Sequence, residues 1–189
     1  MLSIVEKLKK FRSLNDDFLL DTHFLSSYKF KDNKGFPPSY ISFSTEVGWG
    51  RLCELFLVYI PLTISHPDSW QERSAYIKEL MDSFYEDVVE DLDYDFLLEP
   101  DGNPNLIKHA IPFAMSENGE YLVWDTLNRN EYDEFPIYVL TSRMSGVRYG
   151  GNDIFQFIES CIDNDKVKNV LGSGYNKLLL KFESLELES

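Results

Sequence analysis

Cysteine and basic residues are scarce in this sequence, and each shortage excludes a class of site or partner. The two cysteines, Cys53 and Cys161, lie far apart and belong to no CxxC or Cys/His cluster. This excludes a zinc-finger type of site and a disulfide framework, so we expect both to be reduced core residues. The 18 Lys and Arg residues face 32 Asp and Glu residues, which gives a formal net charge of −14. Because such a chain repels phosphate backbones, nucleic acid is not an expected partner.

Long hydrophobic runs are also absent. The longest, 55–62, contains Pro61 and falls far short of the ~20 residues that cross a bilayer. Residues 1–12 alternate apolar and charged side chains, which is unlike a signal peptide. We therefore expect a cytoplasmic protein with no membrane partner. With 189 residues, of which 43% are hydrophobic, the chain is expected to fold as one domain over 1–189.

Signatures of catalysis and cofactor binding fail at identifiable positions. The glycine-rich segment 146–151 is followed by Asn152 and Asp153, where a phosphate loop requires Lys and Ser/Thr. Three alternate aspartates, beginning at Asp91, resemble the start of a calcium loop, but Phe96 replaces its essential glycine. Weak divalent-ion association with this acidic cluster is left open. We assign no catalytic residue, no metal ligand and no cofactor, and we expect the protein not to be an enzyme.

The hydrophobic pattern predicts an α+β fold. Pro37 and its neighbour open a predicted helix that carries Tyr40 on its apolar side and ends at Gly48. The apolar segment 51–60 predicts one strand buried on both faces in the middle of the sheet. The segment 26–36 is predicted to be a polar loop. Further strands are predicted at 107–115, 120–126 and 136–141, with an Asn-Gly hairpin turn at 117–119, and further helices at 2–12, 152–161 and 175–187.

The sharpest periodic signal is an amphipathic helix over 69–93. Ser69 is its predicted N-cap, with Glu72 completing a capping box. Apolar residues recur at i, i+1, i+4 and i+5 from Tyr76 to Leu92, which predicts an amphipathic helix with one apolar side. The opposite side is acidic, and such a face is as often merely solvated as used for binding. The predicted partner-binding residues on it are Glu79, Asp82, Glu86, Asp87 and Glu90.

Three segments together resemble the SUKH superfamily, which includes fungal regulators of cell-wall assembly and many bacterial proteins. The first resembles the family's Pro-x-Ser-Tyr helix with its glycine stop, the second its hairpin ending in an apolar residue and Asp, and the third its closing amphipathic helix. Their order and spacing agree, and they frame residues 36–162. In this chain they read Phe36-Pro37-Pro38-Ser39-Tyr40-Ile41-Ser42-Phe43 with Gly48-Trp49-Gly50, then Phe113-Ala114-Met115-Ser116-Glu117-Asn118-Gly119-Glu120-Tyr121-Leu122-Val123-Trp124-Asp125, then Asp153-Ile154-Phe155-Gln156-Phe157-Ile158.

The resemblance implies a mixed, mostly antiparallel sheet with flanking helices. For bacterial members it implies an immunity protein that binds and neutralises a cognate toxin of interbacterial competition, in many cases a nuclease. The family has no catalytic constellation to carry over, so the matching residues are expected to determine the fold alone. These are Pro37, Tyr40, Gly48, Asn118, Gly119, Trp124 and Asp125.

Three functions stay open at this stage. The leading hypothesis is a non-catalytic immunity protein whose acidic surface docks on a basic toxin. A regulatory scaffold of the cell-wall type is the alternative, and it would be expected to carry disordered flanks, of which this chain has little. An enzyme acting on a cationic or sugar substrate would need convergent carboxylates in a pocket, for example a buried Asp125 beside His109. The sequence leaves the oligomeric state open.

Overall fold

The described residues build one seven-stranded sheet with helices packed on it. The structure is a computed structural model that describes residues 2–12, 19–90 and 94–186, with backbone alone at 88–90 and 95. The strands are β1 (Gly50–Leu52), β2 (Phe56–Val58), β3 (Ala110–Ser116), β4 (Tyr121–Asp125), β5 (Ile137–Leu140), β6 (Val147–Gly151) and β7 (Phe182–Ser184). Their order across the sheet is β6-β5-β4-β3-β2-β1-β7, and all neighbours are antiparallel. The predicted α+β class is confirmed.

Seven α-helices occur in the described ranges. They are α1 (Ile4–Leu8), α2 (Thr22–Ser27), α3 (Pro38–Glu46), α4 (Trp70–Phe84), α5 (Pro104–His109), α6 (Ile154–Cys161) and α7 (Val167–Leu171). Short 3₁₀ turns occupy Lys9–Phe11, Asp95–Leu98 and Ser142–Met144, and a π-helical segment, Tyr85–Glu90, continues α4. None of the helices in these ranges has the length and apolar composition that crossing a membrane requires.

Helices cover both faces of the sheet. Phe56 and Phe182 share one face through the register of β2, β1 and β7, and they contact Phe157 of α6 and Phe43 of α3. On the opposite face, Met81 of α4 adjoins the strand residues Leu140 and Val147 around an apolar void of only about 10 Å³. The sheet is therefore the middle of a three-layer core.

The predicted helix after Pro37 is confirmed as α3. Pro37 occupies the N-cap position, where its missing N–H costs nothing, and Gly48 has a φ of 98°, a conformation that favours glycine. Tyr40 is fully buried, and its hydroxyl donates to the Tyr59 carbonyl at 2.6 Å. This bond ties α3 to the segment that follows β2.

The predicted hairpin between β3 and β4 is also confirmed. Gly119 has a φ of 91°, and its N–H donates to the Ser116 carbonyl at 3.2 Å, which closes the turn. Asn118 lies at the tip, where its side-chain amide donates to the Tyr175 hydroxyl at 3.0 Å. Trp124, near the end of β4, stacks on Phe113 with ring centroids 4.4 Å apart. The turn thus places the largest core side chain against the central strand.

The prediction of one long strand over 51–60 is wrong. The chain reverses at Cys53 and Glu54, whose φ values are 54° and 57°, so β1 and β2 form a tight hairpin. Such turns normally carry Asn or Gly at these positions, and a Cys-Glu pair gives no sequence signal for one. The middle of the sheet is β3.

The prediction of a final helix over 175–187 is wrong as well. The chain from 172 to 181 has no regular helix, and Phe182–Ser184 forms the edge strand β7 on β1. Four other helices and strands were missed, and two of them are the short helices α2 and α7. The glycine-rich segment rejected as a phosphate loop is the edge strand β6, and residues 107–109 belong to α5, which Asn103 caps through its side chain at 3.0 Å.

The loop over 26–36 is not a polar one. Phe30 and Phe36 lie in the core and Tyr28 is partly buried against it, and all three rings pack against Trp70 within 6.5 Å between centroids. This cluster joins the start of α4 to the Trp124 ring. Aromatic residues spaced through a charged loop have no period that would indicate burial.

Candidate partner-binding site

Helix α4 is the scaffold of the predicted binding surface. The Ser69 hydroxyl accepts from the Glu72 N–H at 3.3 Å, so the predicted N-cap is confirmed. The Ser69 N–H donates to the His66 carbonyl at 2.9 Å and not to the Glu72 side chain. The predicted capping box is therefore not formed. The two Ser69 hydrogen bonds therefore fix the start of α4 without any contribution from the acidic side chains later in the helix.

The acidic residues of this helix do not share one environment. Glu79 of α4 is exposed, as are Glu86 and Asp87 of the π-helical segment that continues it, and we call these three residues the acidic ridge. Asp82 is paired with Lys78 one turn earlier, which neutralises it locally. The side chain of Glu90 lies outside the described residues. Ser83 is bound into the ridge, since its hydroxyl donates to the Asp87 carboxylate at 3.2 Å.

The apolar side of α4 is only partly buried. Tyr76 is 54% exposed and Leu80 39% exposed, whereas Ile77 and Met81 beside them are buried. A pattern of i, i+1, i+4 and i+5 gives two adjacent columns on a helix. A helix lying on one sheet buries the column that points to the strands, and the second column stays at the surface. The outer side of α4 therefore combines apolar and acidic side chains.

Cations border the acidic ridge on one flank. A groove of about 330 Å³ is lined by Asp82 and Glu86 from one side and by Lys31, Lys108 and His109 from the other. These cations therefore offset part of the charge of Glu86, whereas Glu79 and Asp87 do not line this groove. The lysines come from distant segments of the chain, so the pattern along the helix could not reveal them.

Asp125 and His109 do not form the pocket that would have favoured an enzyme. Asp125 is buried, but its carboxylate accepts from the Leu127 N–H at 3.1 Å and from the Asn128 side-chain amide at 2.7 Å. His109 Nδ1 is bonded to the Asn105 carbonyl at 3.0 Å. Among the described residues these two side chains make no hydrogen bond to each other. Asp125 stabilises the turn after β4.

Glu134 is a buried acid that sequence reasoning missed. Its carboxylate accepts from the Ser39 N–H and from the Ser39 hydroxyl, both at 2.7 Å, in the first turn of α3. Pro37 offers this helix no side-chain cap, so a residue 95 positions away caps it. Burial raises the pKa of Glu134 above its ordinary value, against the lowering effect of the Ser39 bonds. The role of Glu134 is structural, and no motif near it in the sequence indicates this role.

The Glu134→Gln variant should gain stability over the native chain as the pH rises. A raised folded-state pKa means that the contribution of Glu134 is fully present below its unfolded pKa of about 4.3 and is lost as pH rises through the folded pKa. Glutamine keeps a carbonyl acceptor for the Ser39 N–H and does not ionise. Urea unfolding at several pH values across this window would measure the difference, with Glu131→Gln, an exposed site in the same loop, as the control. Equal pH profiles for the native chain and the Glu134→Gln variant would contradict the assignment.

Groups that could bind metals or act as nucleophiles are few. Within 2–12, 19–90 and 94–186, no group of three or more His, Cys, Asp or Glu is placed to hold a metal ion. The calcium-loop resemblance that begins at Asp91 falls largely outside the described residues. Cys53 and Cys161 are free and buried, and burial raises the pKa of Cys53 to about 12. A thiol so rarely ionised is a poor nucleophile, which agrees with the expectation of two reduced core cysteines.

Comparison with known proteins gave no match. No protein-family model, no curated protein and no solved structure matches this chain. The resemblance to the SUKH superfamily therefore stays a prediction, carried by the three motif segments alone.

Proposed function

We propose that this protein acts by binding another protein through the outer side of α4, as an immunity protein neutralises a basic toxin, and that it carries out no chemistry itself. One observation carries the proposal. On α4, Glu79 of the acidic ridge lies three residues after Tyr76 and one before Leu80, and both of these apolar side chains are exposed as well. Charge and an apolar anchor are the two components that a specific protein interface needs.

The two components have different tasks. The ridge, in a chain of net charge −14, would attract a basic surface over a long range and so raise the rate of encounter. Charge at an exposed rim adds little affinity, because water and salt screen it. Affinity would come from desolvation of Tyr76, whose ring also lies 5.9 Å from the Arg73 guanidinium, and of Leu80. The guanidinium restrains the tyrosine and lowers the entropy lost on binding.

We infer that the partner is a toxin from the resemblance to the SUKH superfamily. The segments that carry it form α3, the β3–β4 hairpin and α6, which are built on the residues expected to determine the fold. Helix α4 stands between the first two segments, as an elaboration of that frame. An element added to a frame is where a binder would carry its specificity, since insertions tolerate change.

Co-expression tests the proposal directly. The partner to be tested is a toxin-like product of a reading frame that adjoins the gene for this protein, expressed from an inducible promoter in a sensitive host. We expect this chain to restore growth and to copurify with the toxin in a fixed ratio. Failure to restore growth would contradict neutralisation, and stable binding to an active toxin would favour the regulatory scaffold instead. The Tyr132→Ala chain is the control, because it loses an aromatic side chain that is 73% exposed and far from α4 in sequence. It should restore growth as well as the native chain does.

A further inference from the structure

Two aromatic side chains lie at the surface just after the π-helical segment, in the turn Asp95–Leu98 and directly before it. Tyr94 is 43% exposed and Phe96 is 60% exposed, and their ring centroids lie 5.3 Å apart. We call these two residues the aromatic pair. Aromatic rings are enriched in protein interfaces, because a rigid ring offers a large contact area at a small cost in conformational entropy.

The backbone beneath the aromatic pair is fixed to the core. Leu98 is buried and lines the apolar void between α4 and the sheet. The Leu97 N–H donates to the Tyr94 carbonyl at 2.9 Å, which closes the 3₁₀ turn. Beyond the turn, the Glu99 carbonyl accepts from the Val147 N–H of β6 at 3.0 Å. The two exposed rings therefore stand on an ordered support, which lowers the entropy that a partner would lose on binding there.

The charges along this part of the sequence are all negative. Residues 79–107 contain ten Asp and Glu residues and no Lys, Arg or His. In space, Tyr85 and Leu98 line the same apolar void, so the turn lies beside the π-helical segment that carries Glu86 and Asp87. Nucleic acid, an anionic membrane and a second copy of this chain are therefore all repelled from the aromatic pair, and a cationic partner is attracted to it.

The aromatic pair itself also favours a cation. Aromatic faces attract ammonium and guanidinium groups, and the planar guanidinium of arginine stacks on a ring as well. This chain uses the contact internally at Phe135, where the Arg129 guanidinium lies 3.9 Å from the ring centroid. Among the described residues, no Lys or Arg side chain lies over either ring of the aromatic pair. A cation for these rings must then come from another molecule.

We propose that the aromatic pair binds an arginine-rich segment of the protein partner, with a guanidinium group stacked on the exposed rings. The proposal rests on the proposed function for the identity of that partner, a basic toxin. It adds a contact of a different kind. The acidic ridge attracts any basic surface over a distance, whereas the aromatic pair distinguishes arginine from lysine at short range.

Two peptides of equal charge test the proposal on the intact chain. They are acetyl-hexa-arginine amide and acetyl-hexa-lysine amide. Chemical-shift titration of the ¹⁵N-labelled protein at low ionic strength gives both dissociation constants and identifies the amides that respond. We expect the arginine peptide to bind about threefold to tenfold more tightly than the lysine peptide and to shift the amide signals of Phe96 and Leu97.

The Tyr94→Leu/Phe96→Leu variant shows whether the rings cause this preference, since arginine also forms paired hydrogen bonds with carboxylates. The variant keeps every carboxylate and removes both rings. We expect the arginine peptide to lose about threefold or more of its affinity and the lysine peptide to lose less. Because both side chains are exposed, the melting temperature should stay close to the native value.

The matched control is the Phe11→Leu/Tyr132→Leu variant. It also removes one phenylalanine and one tyrosine, from exposed sites outside residues 79–107. Tyr132 lies between two acids in the sequence, as Tyr94 does, so the control also tests whether any exposed ring among carboxylates is sufficient. We expect this variant to keep the native preference for the arginine peptide.

Four results would overturn the proposal. They are equal affinity of the native chain for the two peptides, an unchanged preference in the Tyr94→Leu/Phe96→Leu variant, an equal loss in the control, and a dimer in sedimentation that removal of the two rings abolishes. The co-expression assay decides the proposed function separately, because it asks whether the native chain restores growth. A chain that prefers arginine through the aromatic pair but does not restore growth would contradict toxin neutralisation and support this contact.

Discussion

Replacing Trp124 with alanine should lower the free energy of unfolding by about 3–5 kcal/mol, a large part of the stability of a domain this size. The ring is 1% exposed, stacks on Phe113 at 4.4 Å and meets Tyr40 edge-on at 4.8 Å. Alanine would remove both aromatic contacts and leave a cavity between α3 and the central strand. Urea unfolding followed by far-ultraviolet circular dichroism measures the change without relying on tryptophan fluorescence.

Two further variants show whether the effect comes from packing at this site. Trp124→Phe keeps a ring against Phe113, so it should cost clearly less than Trp124→Ala. Tyr132→Ala removes a ring that is 73% exposed and should change stability by no more than about 0.5 kcal/mol. A Trp124→Ala variant as stable as Tyr132→Ala would show that this ring is not the centre of the core.

The elements that the sequence predicts well are those with local determinants. Pro37 and Gly48 bound α3 at its own two ends, and Gly119 supplies the positive φ of the hairpin turn. Asp153 caps α6 through bonds to the N–H groups of the two residues at positions i+2 and i+3, both at 2.8 Å. In each case a side chain or a backbone preference acts on residues close to it in the sequence, so the sequence alone is enough to predict the element.

The elements that the sequence misses depend on distant partners. Strand β7 exists because β1 offers it a free edge, and a Cβ on Gly50 would lie 2.2 Å from the Glu183 carbonyl oxygen. Glu134 caps α3 across 95 residues. The turn at Cys53 adopts a conformation that its residue type disfavours, so the pairing of β1 with β2 must impose it.

The candidate site also has one part that the sequence predicts and one part that it does not. That acidic residues on α4 would be exposed follows from the cost of burying charge, and Glu79 and Glu86 agree with it. The exposure of Tyr76 does not follow, because two apolar columns on one helix look alike until the sheet selects one of them. The groove along the start of α4 could not be inferred either, since Phe24 and Ile111, which line it, come from other segments of the chain. The exposure of the acidic side chains could therefore be predicted from the sequence, whereas the exposure of the apolar side chains could be seen only in the folded structure.

Reversal of the acidic ridge tests whether charge directs the partner to α4. Replacing Glu79, Glu86 and Asp87 with lysine should slow association with the basic toxin by about tenfold or more at low ionic strength, since steering raises on-rates by roughly 10–10³-fold. The dissociation rate should change less, because the ridge borders the apolar anchors and does not form them. Stopped-flow measurement over a range of salt concentrations gives both the rate and its salt dependence.

The control for this reversal must carry the same net charge. Lysine at three exposed acids elsewhere, Glu131, Glu159 and Asp165, changes the overall charge equally and leaves α4 intact. If the outer side of α4 is the docking surface, the control should lose only the small part of the on-rate that depends on total charge. The salt dependence should flatten in the ridge variant and persist in the control. Equal losses in the two variants would show that the toxin responds to the charge of the whole protein and docks on another surface.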